Sequence, residues 1–225
     1  MKLLTSDTLS KAIDEIIGKA REQDSIDPVF VIVPDRLTLY AERMVSEGVC
    51  LLNTNVITFT KLFYLLQDEL GDDAVVLDKT SAVLLMWRAI KNVRDRFIWF
   101  TGTHYSFAEK MFNTVNQLTS SMVDFDRLVD NTKTSVTQKK MHDIVMIYKE
   151  YKRLVGEGTD SSGQLKYLIE NINRSQHFSQ SEFFVVGFDN ISPERLMVLK
   201  EIKKIANMTV GARQESEFEW GFASG

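Results

Sequence analysis

The chain has one cysteine among its 225 residues. Cys50 has no partner for an internal disulfide and cannot assemble a thiolate cluster alone, so a disulfide scaffold is excluded and a reducing compartment suits the chain. Its expected place is a small apolar core position. Histidine is nearly as scarce: His104, His142 and His177 lie far apart, each in or beside a helical pattern, and none has the i, i+4 partner of a metal-binding helix. A Gly-x-Ser-x-Gly nucleophile elbow is missing as well. No apolar run approaches the roughly 18 residues that span a bilayer, and the amino terminus lacks the basic, apolar, small-residue order of a signal peptide, so the expected location is cytoplasmic. A net charge of −4 offers no bulk electrostatic hold on nucleic acid, and any DNA contact must be local or shared with a partner.

What is present is a soluble globular composition, 44% apolar and 26% charged, on a chain long for one domain and short for two. Three apolar runs rich in β-branched or aromatic residues stand between helical patterns: "PVFVIVP" at 28–34, "NVITFT" at 55–60 and "FFVVGF" at 183–188. Continuous apolarity of this kind marks parallel strands covered on both faces. "KLL" at 2–4 and "MTVGA" at 208–212 are weaker strand candidates, giving a parallel α/β sheet of about five strands. Between the third and fourth strands in chain order, counting "KLL", more than a hundred residues carry helical periodicity, too many for a loop, which implies an inserted helical subdomain. Its apolar teeth fall at 82, 83, 86, 89, 90 and 93, at 107, 108, 111, 112, 115, 118 and 122, and at 141, 144, 145, 148, 151, 154 and 155. "GEGTDSSGQ" at 156–164 stops the third of these helices and caps a fourth, 164–172. The expected organisation is therefore 1–76 and 177–214 as two parts of one α/β domain, 77–176 as the helical insertion, and 215–225 as a frayed or truncated tail.

The order and spelling of "VIVPDRLTLYAERMV" at 31–45, "NVITFTKLFYLLQDELG" at 55–71, "KMHDIVMIYKEYKRLV" at 140–155 and "VVGFDNISPERLMVLKEI" at 185–202 resemble one family. It is the amino-terminal helicase-like region of the AddB/RexB subunit of bacterial AddAB-type (RexAB) helicase-nucleases. The resemblance implies a P-loop-NTPase-like sheet shaped like the first motor domain (1A) of superfamily 1 helicases, with the helical subdomain inserted. It further implies a largely inactive domain that supports a true motor subunit, helps guide a DNA strand and serves recombinational repair of double-strand breaks. Members are far longer, with a second motor-like half and a nuclease carrying an iron-sulfur cluster. ATP, magnesium and that cluster would therefore belong to the parent complex, none being expected in this chain.

Two stretches test whether motor chemistry survives. A phosphate-binding loop needs glycines whose amides wrap the phosphates, a lysine on the terminal phosphates and a hydroxyl on magnesium. In "KLLTSDTLSKA" Lys11 falls at the lysine position, but Thr5, Thr8 and Ser10 stand where glycines belong and Ala12 where the hydroxyl belongs. Leu9, Ile13, Ile16, Ile17 and Ala20 form one helical face, so a helix capped near Ser6 or Asp7 leaves little loop. The motor's second strand feature is a pair of acids, one for the magnesium shell and one to orient water; Val186 and Gly187 occupy those places. Asp189, Asn190 or Ser192 then reads as the cap of a helix with Pro193 in its first turn. Asp72 and Asp73, after Gly71, read as solvated turn charges.

By resemblance, the loops after the second and third strands meet single-stranded DNA. Arg36, Thr38, Thr58, Thr60 and Lys61 are the resulting candidates for phosphate contact, at strand carboxyl ends where open parallel sheets place ligands. The competing reading makes Thr58 and Thr60 the start of a helix at Lys61 and Arg36 an exposed salt-bridge partner. A second basic set, Arg88, Lys91, Arg94 and Arg96, is interleaved with Trp87, Phe97, Trp99 and Phe100, for which core packing competes with base stacking. Lys139, Lys140, Lys149, Lys152 and Arg153 form a mildly positive flank. The function expected is a catalytically silent scaffold and strand guide that partners a motor/nuclease subunit and single-stranded or forked DNA. The rivals are an ATP-binding enzyme with a degenerate P-loop and a protein-interaction module without DNA contact.

Overall fold

The computed structural model describes residues 2–22, 27–47, 53–73, 75–128 and 135–213; Cys50 and the tail 215–225 lie outside them. In chain order the elements are β1 (Lys2–Ser6), α1 (Leu9–Arg21), β2 (Val29–Ile32), α2 (Thr38–Ser46), β3 (Thr54–Ile57), α3 (Phe59–Leu70), α4 (Lys79–Val93), α5 (Tyr105–Ser120), α6 (Ser135–Val155), α7 (Ser161–Asn171), α8 (Gln176–Ser179), β4 (Glu182–Val185), α9 (Pro193–Ile205) and β5 (Asn207–Arg213). The chain divides into two compact units, Met1–Asp72 with Tyr167–Gly225, and Asp73–Lys166.

The first unit holds a five-stranded, all-parallel sheet in the order β1-β5-β4-β2-β3. All five apolar runs become strands, each trimmed or extended by pairing: Ser6 is drawn into β1 opposite Arg213, whereas β2 and β4 stop at the paired Ile32 and Val185. The uninterrupted apolarity of β2 follows from cover on both faces, since alternate side chains point opposite ways and all four residues are buried. On one face Val29, Val31, Val56 and Phe184 pack with Ile13, Ile16 and Ile17 of α1 and Ala41 of α2. Gly211 of β5 permits this closeness, because a Cβ there would lie 2.6 Å from Ile16 Cγ1. On the other, Phe30 and Phe183 stack at 5.3 Å and meet Phe178 of α8 edge-on at 5.4 and 5.9 Å. α3 and α9 bury Leu62, Phe63 and Leu66, and Val198, Leu199 and Ile202.

Residues 167–176, grouped with the helical subdomain on sequence periodicity, make their contacts in the sheet unit. Tyr167 packs edge-on against Phe63 and donates its hydroxyl to Asp72, so burial and then that carboxylate push its phenol up to about 12. Glu69 of α3 accepts from Ser175 Oγ at 2.5 Å and from the amides of Gln176 and His177 at 2.9 and 3.1 Å, fastening α8 to α3.

The second unit is helical. Ala82, Val83, Met86, Ala89, Ile90 and Val93 of α4 are all buried, facing Ala108, Met111, Phe112 and Val115 of α5 and Ile144, Val145, Tyr151 and Val155 of α6. Asp78 caps α4, accepting from the Ser81 amide at 2.6 Å. Two buried carboxylates organise this unit. Asp160 accepts from Tyr151 Oη and from the Gly163 amide, both at 2.8 Å. Asp143, fully buried, accepts from the amides of Ile98, Trp99 and Phe100 at 2.8–3.2 Å. No helix among the described residues is long and apolar enough to cross a membrane.

Candidate nucleic-acid interface

The chain leaving β2 runs through a 3-10 turn, Asp35–Leu37, and α2 to β3 on one side, whereas the chain leaving β4 runs through α9 to β5 on the other. Because β2 and β4 are neighbours, the gap outside their carboxyl ends is the topological switch point, where an open parallel sheet forms its ligand crevice. In this protein the crevice is closed by its own chain. Gly187 has φ +89°, and a Cβ on it would lie 2.5 Å from Leu37 Cδ1 and 3.1 Å from Pro34 Cδ. An aspartate at 187 would need a left-handed backbone and displacement of Leu37. Val186 is 1% exposed and turned into the core against α1 and α2, so an acid there would be a buried charge.

Arg36 spans the gap. Its guanidinium donates to Asp189 Oδ2 at 2.7 Å and to the Gly187 carbonyl at 3.1 Å. The ion pair is exposed on both sides, at 56% and 64%, so it contributes little to stability. Asp189 is thereby occupied with Arg36, and the cap of α9 is Ser192, accepting from the Arg195 amide at 3.4 Å with Pro193 in the first turn.

At β3 the helix starts two residues earlier than Lys61. Thr58 is the N-cap of α3, accepting from the Lys61 amide at 3.3 Å, while Thr60 and Lys61 are exposed in its first turn. Lys61 forms no ion pair among the described residues. Thr38 opens α2, half-buried, and shares no hydrogen bond with the other candidates. Three residues absent from the sequence-derived set join this edge: Phe59 meets Phe188 edge-on at 5.8 Å, and the Arg195 guanidinium lies 5.6 Å from the Phe59 ring centre. The aromatic spelling of "TFTKLF" and "VGFDN" was the available signal, but only strand pairing brings 59 and 188 together.

The amino-terminal strand exit is short. Only Asp7 and Thr8 separate β1 from α1, and Thr8, rather than Ser6 or Asp7, is the cap, accepting from the Lys11 amide at 3.3 Å. Ser6 stays in the strand and donates to Glu15 Oε2 at 2.8 Å. Lys11 Nζ pairs with Asp7 at 3.4 Å, exposed. Two residues provide too few successive amides to wrap a triphosphate, and the residues present do not fit ATP with magnesium.

These features define an open parallel α/β unit whose carboxyl edge presents basic and aromatic side chains, with Arg36 and Leu37 occupying its switch point. Residues 5–217 match the family described as ADDB, N-terminal, and the chain belongs to it. It is similar to the B-subunit of the ATP-dependent helicase/deoxyribonuclease of Listeria welshimeri, at 28% identity over 209 residues, covering 88% of this chain and 18% of that protein. A similar relative is the B-subunit of the corresponding helicase/deoxyribonuclease of Alkaliphilus metalliredigens, 24% identical over 215 residues with the same coverage. The chain thus spans about a fifth of the length of the curated relatives it matches.

Proposed function

We propose that this chain is a catalytically silent, helicase-like part of an AddB-type subunit, with a helical subdomain inserted into an α/β domain, acting as scaffold and strand guide in a DNA-repair helicase/exonuclease. The proposed partners are a motor/nuclease subunit and single-stranded or forked DNA. The observation that carries the reading is the crowded switch point: Val186 faces the core, where an acid would be a buried charge, and Gly187 abuts Leu37 at a positive φ, where an acid would be strained, so both places disfavour the acids that a motor uses for magnesium and water. The two-residue exit of β1 supports the same conclusion for the phosphates.

The same edge supports a strand-guiding role. Lys61 and Arg36 supply charge, the Thr58 to Lys61 turn supplies the positive end of a helix, and Phe188 offers a half-buried ring. Two measurements test this. Titration of the purified chain with ATP and magnesium shows no saturable micromolar binding, and binding that disappears in Lys11→Ala would sink the silent reading. Binding to a labelled single strand weakens in Lys61→Ala, with the salt slope reduced by about 0.7 for the lost phosphate contact. Unchanged affinity and slope in both Lys61→Ala and Arg36→Ala would reject this edge as the interface.

A further inference from the structure

The helical unit contains a loop whose construction is unexplained by packing alone. Residues 97–103 join the 3-10 turn after α4, Arg94–Arg96, to α5. Phe97 and Phe100 turn inward onto the helical core, while Ile98 and Trp99 between them stand 54% and 42% exposed. The loop is tied at two places. Asp143 accepts three successive amides from Ile98 to Phe100, and Trp87 Nε1 donates to the Thr103 carbonyl at 2.8 Å. A buried carboxylate is costly, and this one holds two large side chains out in water.

The charges around Trp99 favour one class of occupant. Lys140 Nζ lies 4.9 Å from the Trp99 ring centre, and Arg96 is exposed at the loop's start. Neither forms an ion pair among the described residues. Arg96 also lines a cleft of about 510 Å³ with Lys149, Arg153 and Met146. The acid in that cleft, Glu150, is already engaged: Arg153 donates to it twice at 2.8 Å and Asn92 once at 2.7 Å. Lys149 is paired with Asp126 at 2.7 Å. The surface therefore keeps positive charge in a chain of net −4, beside an aromatic face on a pinned loop. Those are the two elements that bind single strands without sequence preference, cations for the backbone and a platform for a base.

We propose that loop 97–103 and α6 form a second binding surface for single-stranded nucleic acid, with Trp99 stacking a base and Lys140 and Arg96 holding the flanking phosphates. It goes beyond the sheet edge and stands independently of it. The test uses the full chain and a fluorescein-labelled oligothymidylate of about 20 nucleotides, read by anisotropy across a salt series. Trp99→Ala weakens binding roughly tenfold while Trp99→Phe keeps most of it, because the ring supplies the stacking. Lys140→Ala lowers the salt slope by about 0.7. Both effects persist in the Lys61→Ala, Arg36→Ala double variant, which separates this surface from the sheet edge. Unchanged affinity and slope in Trp99→Ala and Lys140→Ala overturn the proposal. So does an Ile98→Ala loss equal to that of Trp99→Ala with the Lys140→Ala slope unaltered, the behaviour of an apolar protein-docking patch.

Discussion

Two aspartates mark the contrast between the two units. Asp189, at the sheet's carboxyl edge, is exposed and meets one exposed arginine; Asp143, in the helical unit, is fully buried and meets three backbone amides. An exposed pair exchanges readily with water or with a competing phosphate, because each ion loses little on leaving its partner. A buried carboxylate exchanges poorly, because its desolvation is offset by those amides, with His142 beside it, and leaving them would strand the charge. The first arrangement suits a surface that engages and releases a ligand. The second fixes a loop permanently.

Breaking the buried arrangement should give the largest effect. Asp143→Ala should destabilise the helical unit by about 3 kcal/mol, measured by urea unfolding at neutral pH. Burial alone raises the Asp143 carboxyl, but the amides of Ile98, Phe100 and Trp99 and then His142 hold it below its ordinary value. A lowered folded pKa means that the contribution is complete above the unfolded value of about 3.9 and is lost as pH falls through the folded one. Acid unfolding of Asp143→Asn should therefore show a flatter limb below that pH than the parent, and an identical limb would remove Asp143 from the account.

Next comes the closed crevice. Gly187→Asp, which introduces an acid at the switch point, should cost about 2 kcal/mol through the positive φ and the contact with Leu37, and should confer no magnesium-dependent ATP binding. Thermal unfolding and nucleotide titration of one sample check both halves. Tyr151→Phe removes a partner from buried Asp160 and should cost about 1 kcal/mol, less than Asp143→Ala because the Gly163 amide remains. The smallest stability change belongs to Asp189→Asn, within about 0.5 kcal/mol, yet it frees Arg36 and should tighten single-strand binding severalfold. Weaker binding in that variant would show that Asp189 orders Arg36 instead of competing for it.

Much of the fold was legible in local pattern. The six α4 positions spaced as a helical face are the six that are buried, and continuous apolarity identified β2 and β4 because both faces of the sheet are covered. Ile147 of α6, fully buried, fell outside the narrow stripe because α6 packs against both α4 and α5, which widens its covered face. The site was legible only where chemistry is local. Thr58 declares itself as a cap beside its own helix. Asp189 stood beside Asn190 and Ser192 as a candidate cap, and Ser192 is the one that caps; the role of Asp189 was hidden because its partner, Arg36, is brought to it only by β2–β4 pairing. Asp143 carried no sequence signal, since its amide partners lie more than forty residues away.

The order of the sheet also has a consequence in time. β2 can pair with β3 as soon as both are made, but its other neighbour, β4, is about 150 residues further along the chain. At a synthesis rate of about 5–20 residues per second, that edge of β2 waits roughly 8–30 seconds on the ribosome before its partner emerges. During that interval the local contacts of α4, α5 and α6 can form, while "VFVI" remains an apolar strand with an open edge. The nascent chain is therefore most exposed to misassociation in the segment that later becomes one of its best-buried strands.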